Sequence, residues 1–481
     1  MRVLMTNAEA LEKYGIVLDE SLLTACLEVV FSIIFFYALF RALYQWFAGN
    51  GIQFPSWVGK CLLIKEVLPG GDCLAPKKQN RFKELKTFLI IFSVAFASRA
   101  LIAYLGYLYK VTQAVRDGYA SYDMISSFSN IWNRWDAPHY VDIAKNWYVT
   151  EAQAQAMGND SYLFIVFFPL LPMLMRLFSP FAPDAAIAGM QAVNQYYFFV
   201  GCFISTVCFS VAAYYLFKLV RREYNMRTGV WALVFLLLTP AGFFFFNAYT
   251  DSLLLMCSMI FFYQLRCGRY WIAALFGMLA ALSRSLGVIL AVPFFVEWIN
   301  QERVISAWKR EPLAPKLRRL LPVVLLPLGT LCYLLINYSV FQDPLRFLLY
   351  QKNHWGQSFS WFLSNLAQIG SRIFFTDQKT AWAIWLPGFL AIATAIFAFL
   401  FGSGKKLRAG YLAYMMSYIV VAAAPSWLLS GARYFAVLFP VYILLALRAE
   451  KMPWLGALAA VVMLVGLAAM TVMFISGWQV M

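Results

Sequence analysis

Twelve separated stretches of this 481-residue chain are apolar over lengths close to the roughly 20 residues that cross a bilayer. They lie near 21–47, 87–109, 190–220, 228–247, 252–266, 270–283, 286–299, 318–340, 381–401, 410–428, 434–448 and 453–476. Hydrocarbon offers no water to backbone amides, so segments of this kind cross as helices. The expectation is an all-α polytopic membrane protein with about twelve transmembrane helices. With 62% hydrophobic and only 13% charged residues, the chain has too little charge to coat a soluble surface. Segments 252–266, 270–283, 286–299 and 434–448 fall short of a full span, which predicts tilted or broken helices lining a cavity.

The 39 Lys and Arg against 23 Asp and Glu could suggest a nucleic-acid partner, but in a membrane protein basic residues mark cytoplasmic loops. Their placement is therefore read in preference to their sum, and no nucleic-acid binding is expected. Loops 48–86, 218–227, 266–269, 300–319, 402–409 and 448–452 hold 24 Lys and Arg, whereas 110–161, 248–251, 284–285, 341–380 and 429–433 hold 10. The first set is assigned to the cytoplasm, which puts both ends of the chain outside. Residues 1–20 are too polar for a signal peptide, so 21–47 is expected to stay as an anchor. Counting 162–180 as a span would invert every later loop, and Pro169 and Pro172 oppose a straight helix. It reads as an interfacial or re-entrant piece on the outer face. Of the eight cysteines, Cys61 and Cys73 fall in a basic loop and the rest in or beside spans, so no disulfide framework is implied. Two histidines and no CxxC spacing argue against a zinc site, and neither a metal nor a cofactor is expected.

The polar motifs share one side of this map. Asp136 with His139 in the first outer loop, Tyr249-Thr250-Asp251-Ser252, Ser283-Arg284-Ser285, Lys352-Asn353-His354-Trp355 and Ser430-Gly431-Ala432-Arg433-Tyr434 all fall in outer segments. Each also has a plainer reading. Asp136 before Ala137-Pro138 suits a helix N-cap, and Asp251 could cap a helix starting at Ser252. Arg433 could snorkel to the interface, and Trp132, Trp135 and Trp355 suit an aromatic belt. Arg284 is harder to dismiss, because arginine at the bilayer centre costs about 2.5–3.5 kcal/mol on insertion scales and should face a pocket or an anion.

In order along the chain, Arg134-Trp135-Asp136-Ala137-Pro138-His139-Tyr140 is followed by Ile143-Ala144, Phe167-Phe168-Pro169 with Pro172, and Thr239-Pro240-Ala241. Tyr249-Thr250-Asp251-Ser252-Leu253 and Arg284-Ser285 with Gly287 complete the series. Together these residues resemble the PIG-V mannosyltransferases, multi-span GT-C glycosyltransferases, over about 87–300, with a looser echo at Arg433-Tyr434. Asp251 stands where that family often has Glu, and Leu286 where Asn is common. The amino-terminal helix with basic loop 48–86 is an addition.

The resemblance implies an inverting transfer of mannose from a polyprenyl-phosphate donor to a lipid or glycan acceptor hydroxyl at the extracytoplasmic face. Such a step needs a carboxylate to take the hydroxyl proton and cations to hold the departing phosphate. The expected catalytic residues are Asp136 and His139. Arg284, Arg433, Lys352 and His354 are the candidates for the donor phosphate, and Arg134, Trp135, Asp142, Tyr249, Asp251 and Trp355 for the substrates. The expected organisation is an extra amino-terminal unit at 1–86, a catalytic module at 87–300 with outer loop 110–189, and a second module at 301–481 with outer loop 341–380. The competing readings are a flippase or transporter of lipid-linked sugars and a GT-C transferase of another sugar. The basic insert and the lack of an evident retention signal favour a bacterial plasma membrane over the endoplasmic reticulum.

Overall fold

Asp19 starts the first long helix: its carboxylate accepts the Leu22 amide at 2.9 Å, and Glu20–Gly49 follows without a break. The computed structural model describes residues 6–13, 17–64, 80–118, 124–156, 158, 165–307, 311–403 and 407–480. Cys73 and much of basic loop 48–86 lie outside the described residues. Among the described residues the fold is all helical, apart from two isolated bridges, Thr6 with Asp377 and Phe359 with Pro425.

Among the described residues six helices are long and apolar enough to cross a membrane: Glu20–Gly49, Arg81–Arg116, Ala185–Glu223, Leu313–Phe341, Gln378–Gly402 and Pro453–Ile475. The other apolar segments fall on shorter helices, including Met226–Leu237, Asp251–Arg266, Tyr270–Ser283, Ala409–Ala422 and Pro440–Lys451. Burial separates inner from outer helices: 72% of the apolar window of Ala185–Glu223 is buried, against 17% for Glu20–Gly49 and 22% for Arg81–Arg116. On the first helix Leu22, Val29, Ile33, Phe36 and Phe40 recur at helical spacing and are all exposed. An outward apolar stripe of this kind is a lipid-facing surface.

Several boundaries differ from the sequence reading, each for a local reason. The segment expected to run to 247 stops at Leu237, because Pro240 bars continuation. The carbonyls freed there are taken by the fully buried Arg99, which donates to Leu237 O and, at 2.6 Å, to Gly242 O. The last-but-one helix begins at Pro440 rather than 434, and Gly431–Phe435 forms a separate turn of helix ahead of it. The stretch 341–380 is not simply a loop: Phe362–Phe375 is a helix packed on the first one, with Phe35 against Phe362 and Ser364 donating to Glu28 at 2.6 Å. Its Ser, Asn, Gln and Arg residues lower the windowed hydropathy although one face is buried. Leu170–Arg176, within 162–180, is seven residues long and cannot span.

Tyr270–Ser283 is approached closely from two directions. A Cβ at Gly287 would lie 2.1 Å from the Ala280 carbonyl carbon, and one at Gly329 would lie 2.2 Å from Met278 O. Backbones meet this tightly in membranes only where the side chain is minimal. The contact folds the chain after Arg284 back on the helix that precedes it.

Asp251 and Arg266 terminate one 16-residue helix, roughly 22 Å apart along its axis. At the Arg266 end the basic loops gather: buried Arg266 bridges Glu223 at 2.7 Å and Glu297 at 2.8 Å, and Arg408 reaches Glu223 at 3.4 Å. The opposite end holds the other motifs.

Candidate functional site

The loop carrying Asp136 is fixed from several sides before any chemistry is considered. Trp132 is fully buried, edge-on to Phe246 at 4.6 Å and stacked on Phe474 at 5.6 Å. Asn247 Nδ2 donates to Trp132 O at 2.8 Å, and the Tyr249 hydroxyl donates to Arg134 O, also at 2.8 Å. Arg134 donates to Asn130 O at 3.1 Å and to Phe474 O and Ile475 O at 3.3 and 3.4 Å. Trp135 has φ of +59°, a left-handed conformation that costs a non-glycine residue about 1–3 kcal/mol. The surrounding bonds hold that conformation and turn the next residue, Asp136, out of the loop.

Asp136 precedes helix Ala137–Asn146 but makes no side-chain cap bond, so the capping role does not account for it. Its Oδ2 instead accepts from Arg433 Nη1 at 2.7 Å. Nor does Asp251 stand ahead of its helix as a cap. It is the first residue of Asp251–Arg266, with Oδ1 on Arg284 Nη1 and Oδ2 3.7 Å from Arg433 Nε. The result is an alternating chain, Asp136, Arg433, Asp251, Arg284, in which two carboxylates balance two guanidiniums. The side chain of Asp251 is 2% exposed, those of Arg433 and Arg284 6% and 12%, and that of Asp136 21%. Burial is tolerable because each charge has a partner; breaking one such pair costs about 3–5 kcal/mol.

Local structure explains how each group reaches the cluster. Arg284 has extended backbone between helix Tyr270–Ser283 and the 3-10 turn Ser285–Leu290, and that break swings it off the helix axis. Its guanidinium lies 4.0 Å from the Tyr434 ring, while that of Arg433 lies 5.0 Å from the Tyr249 ring. The Tyr434 carbonyl accepts from Tyr418 at 2.6 Å, fixing the Gly431–Phe435 turn.

A cavity of about 130 Å³ opens beside the chain, with Asp136, Arg284 and Arg433 in its wall together with Tyr140, Phe167 and Trp355. Gln351, Gln357, Ser285 and Ser430 add neutral hydrogen-bonding groups. The buried Nε of Arg433 has no hydrogen-bond partner among the described residues. Burial raises the Tyr140 phenol well above its ordinary range, so it remains a neutral hydroxyl, 3.4 Å from Thr250 Oγ1.

The remaining candidates are more dispersed. His139 stacks on Phe167 at 4.9 Å, one residue set back from the cavity wall. Trp355 meets Phe167 edge-on at 6.4 Å. Lys352 and His354 are exposed on helix Arg346–Trp355 and do not line the cavity. Asp142 pairs with Lys145 at 3.0 Å, and Lys145 also donates to Asn194 at 2.5 Å, away from the ion chain. Arg134, Trp135 and Tyr249 belong to the loop scaffold. Asn247, Tyr140, Gln351 and Gln357 were not anticipated. Of these Asn247 carried a signal, as a lone polar residue closing the run Phe243-Phe244-Phe245-Phe246. Among the described residues no three His, Cys, Asp or Glu side chains group as a cation shell.

A family model described as Mannosyltransferase (PIG-V) matches residues 93–404, which takes in Asp136, Asp251 and Arg284 but leaves Arg433 beyond its end. No curated protein and no solved structure matches the chain.

Proposed function

The chain belongs to the PIG-V mannosyltransferase family, a membrane-embedded group of enzymes that move mannose, and from that premise we propose a single inverting displacement on a polyprenyl-phosphate-linked donor. The observation that carries this reading is the joining of Asp136, Arg433, Asp251 and Arg284, from four separate segments, into one ion chain beside a cavity. The acceptor is a lipid or glycan hydroxyl at the extracytoplasmic face, in a bacterial plasma membrane.

Asp136 takes the acceptor proton as the hydroxyl oxygen attacks C1 of mannose. The bond from C1 to the phosphate oxygen breaks, and the carrier departs as a polyprenyl phosphate. The added negative charge falls to Arg433 and Arg284, whose planar donors suit two phosphate oxygens at once. Asp251 touches neither substrate in this reading; it holds the two guanidiniums in register. Phe167 and Trp355 form apolar walls for the sugar, His139 braces Phe167, and Lys352 and His354 are exposed outside the cavity lining.

The test is transfer by purified protein in proteoliposomes supplied with a polyprenyl-phosphate [³H]mannose and a lipid-extract acceptor. Matched appearance of mannosylated product and free polyprenyl phosphate, with inversion at C1 by NMR, is expected. Movement of intact donor across the bilayer without release of carrier phosphate would overturn it.

A further inference from the structure

Helix Tyr270–Ser283 ends at Arg284, in the ion chain, and begins roughly 20 Å away beside a second and larger cavity of about 760 Å³. Arg269, Arg318 and Arg319 line it with Glu302, Trp271 and Ile272. Arg319 Nη1 is held by both oxygens of Glu302, at 3.0 and 3.1 Å, and the Tyr270 hydroxyl donates to the same carboxylate at 3.1 Å. Three guanidiniums against one carboxylate leave the cavity positively charged, and Arg269 and Arg318 are solvent-exposed.

Two further features fix the level of this cavity in the membrane. On helix Leu313–Leu320 and just beyond it, Leu313, Leu317 and Leu321 recur every four residues and are 36%, 45% and 57% exposed. An exposed apolar stripe beside Arg318 and Arg319 describes the interfacial end of the membrane-crossing stretch Leu313–Phe341. Trp271 is 62% exposed at the start of its helix, the depth at which amphipathic rings collect, and Leu275 continues an apolar face one turn further in.

We propose that this cavity binds the headgroup of an anionic phospholipid from the leaflet opposite the ion chain. Arg269 and Arg318 meet the headgroup charge, Glu302 keeps Arg319 aimed at the phosphate, and the acyl chains run along Trp271, Leu275 and Leu321. The net positive lining favours an anionic over a zwitterionic headgroup. The site is independent of the transfer chemistry, since none of its residues reaches the first cavity.

The test uses the full chain in nanodiscs of phosphatidylcholine carrying a photoactivatable phosphatidylglycerol or, separately, a photoactivatable phosphatidylcholine. Wild-type protein is expected to be labelled by the anionic probe on peptides around 268–275 and 313–322. The double variant Arg269→Gln with Arg318→Gln should lose that labelling by about tenfold, while the double Lys variant retains most of it and the zwitterionic probe does not distinguish the proteins. Equal anionic labelling of wild type and the Gln variant would overturn the proposal. So would full suppression by excess inorganic phosphate, which would mark a site for a soluble anion.

Discussion

Arg433 Nη1 lies 2.7 Å from Asp136 Oδ2, so the carboxylate proposed as the base is neutralised in the resting site by a guanidinium proposed as a phosphate ligand. The two roles compete for one side chain. A donor phosphate that draws Arg433 toward itself releases the carboxylate for proton transfer, which couples arrival of the donor to readiness of the base.

Asp136→Asn removes the proton acceptor while keeping an oxygen for Arg433. Loss of a general base costs roughly 10²–10⁴-fold. Transfer by the purified variant should fall within that range, with donor affinity no weaker than wild type, because the defect lies in the chemical step and the neutral amide competes less for Arg433. Transfer within a fewfold of wild type would remove Asp136 from the proposed mechanism.

Replacing Arg284 or Arg433 by Lys preserves charge but loses the two-pronged grip, and Ala loses both. Titration of a polyprenyl-phosphate sugar should therefore weaken in the order wild type, Lys, Ala. Arg433→Ala also strands Asp136 and half of Asp251, so its unfolding temperature should drop more than that of Asp136→Asn, in line with about 3–5 kcal/mol for a broken buried pair. Unchanged donor affinity in both Ala variants would return these arginines to a purely structural role.

How far the sequence speaks depends on the kind of residue. In a chain this apolar, Asp136, Asp251, Arg284 and Arg433 stand out because each charge demands a reason to be near lipid, and all four meet. Lys352 and His354 look equally promising in the sequence, but they are exposed and lie outside the cavity lining. The pinning of the Asp136 loop by Asn247 and Tyr249 is carried by contacts 115 residues apart, which no local pattern encodes. Likewise, helix Phe362–Phe375 mixes polar and apolar residues at a density that conceals its burial from a hydropathy window.

Gly287→Ala places a methyl group against immovable backbone at Ala280. Overpacking in well-packed cores costs typically about 1–3 kcal/mol, and here the displaced segment is the one that presents Arg284. The detergent-solubilised variant is expected to melt below wild type and to bind donor more weakly. A wild-type melting profile would show that the chain after Arg284 can move away from its helix without penalty.

Topology is open to a direct check. In a cysteine-free background, Ser358→Cys should react with an impermeant maleimide added from the extracytoplasmic side, and Ser306→Cys should not; both positions are exposed. Outside labelling at 306 would invert the orientation derived from the loop charges and with it the side on which the donor is met.

Arg134 donates to the carbonyls of Phe474 and Ile475, 340 and 341 residues downstream. During synthesis, then, the loop that presents Asp136 emerges early but lacks one of its fastenings until the last helix has left the ribosome and entered the bilayer. Asp251 and Arg284, only 33 residues apart, are able to pair much sooner. A chain made as far as residue 404 carries every motif of the matched region and still lacks both Arg433 and the fastening of Arg134 to helix Pro453–Ile475. The setting of the Asp136 loop is thus shared between the matched region and the helix Pro453–Ile475 that lies beyond it.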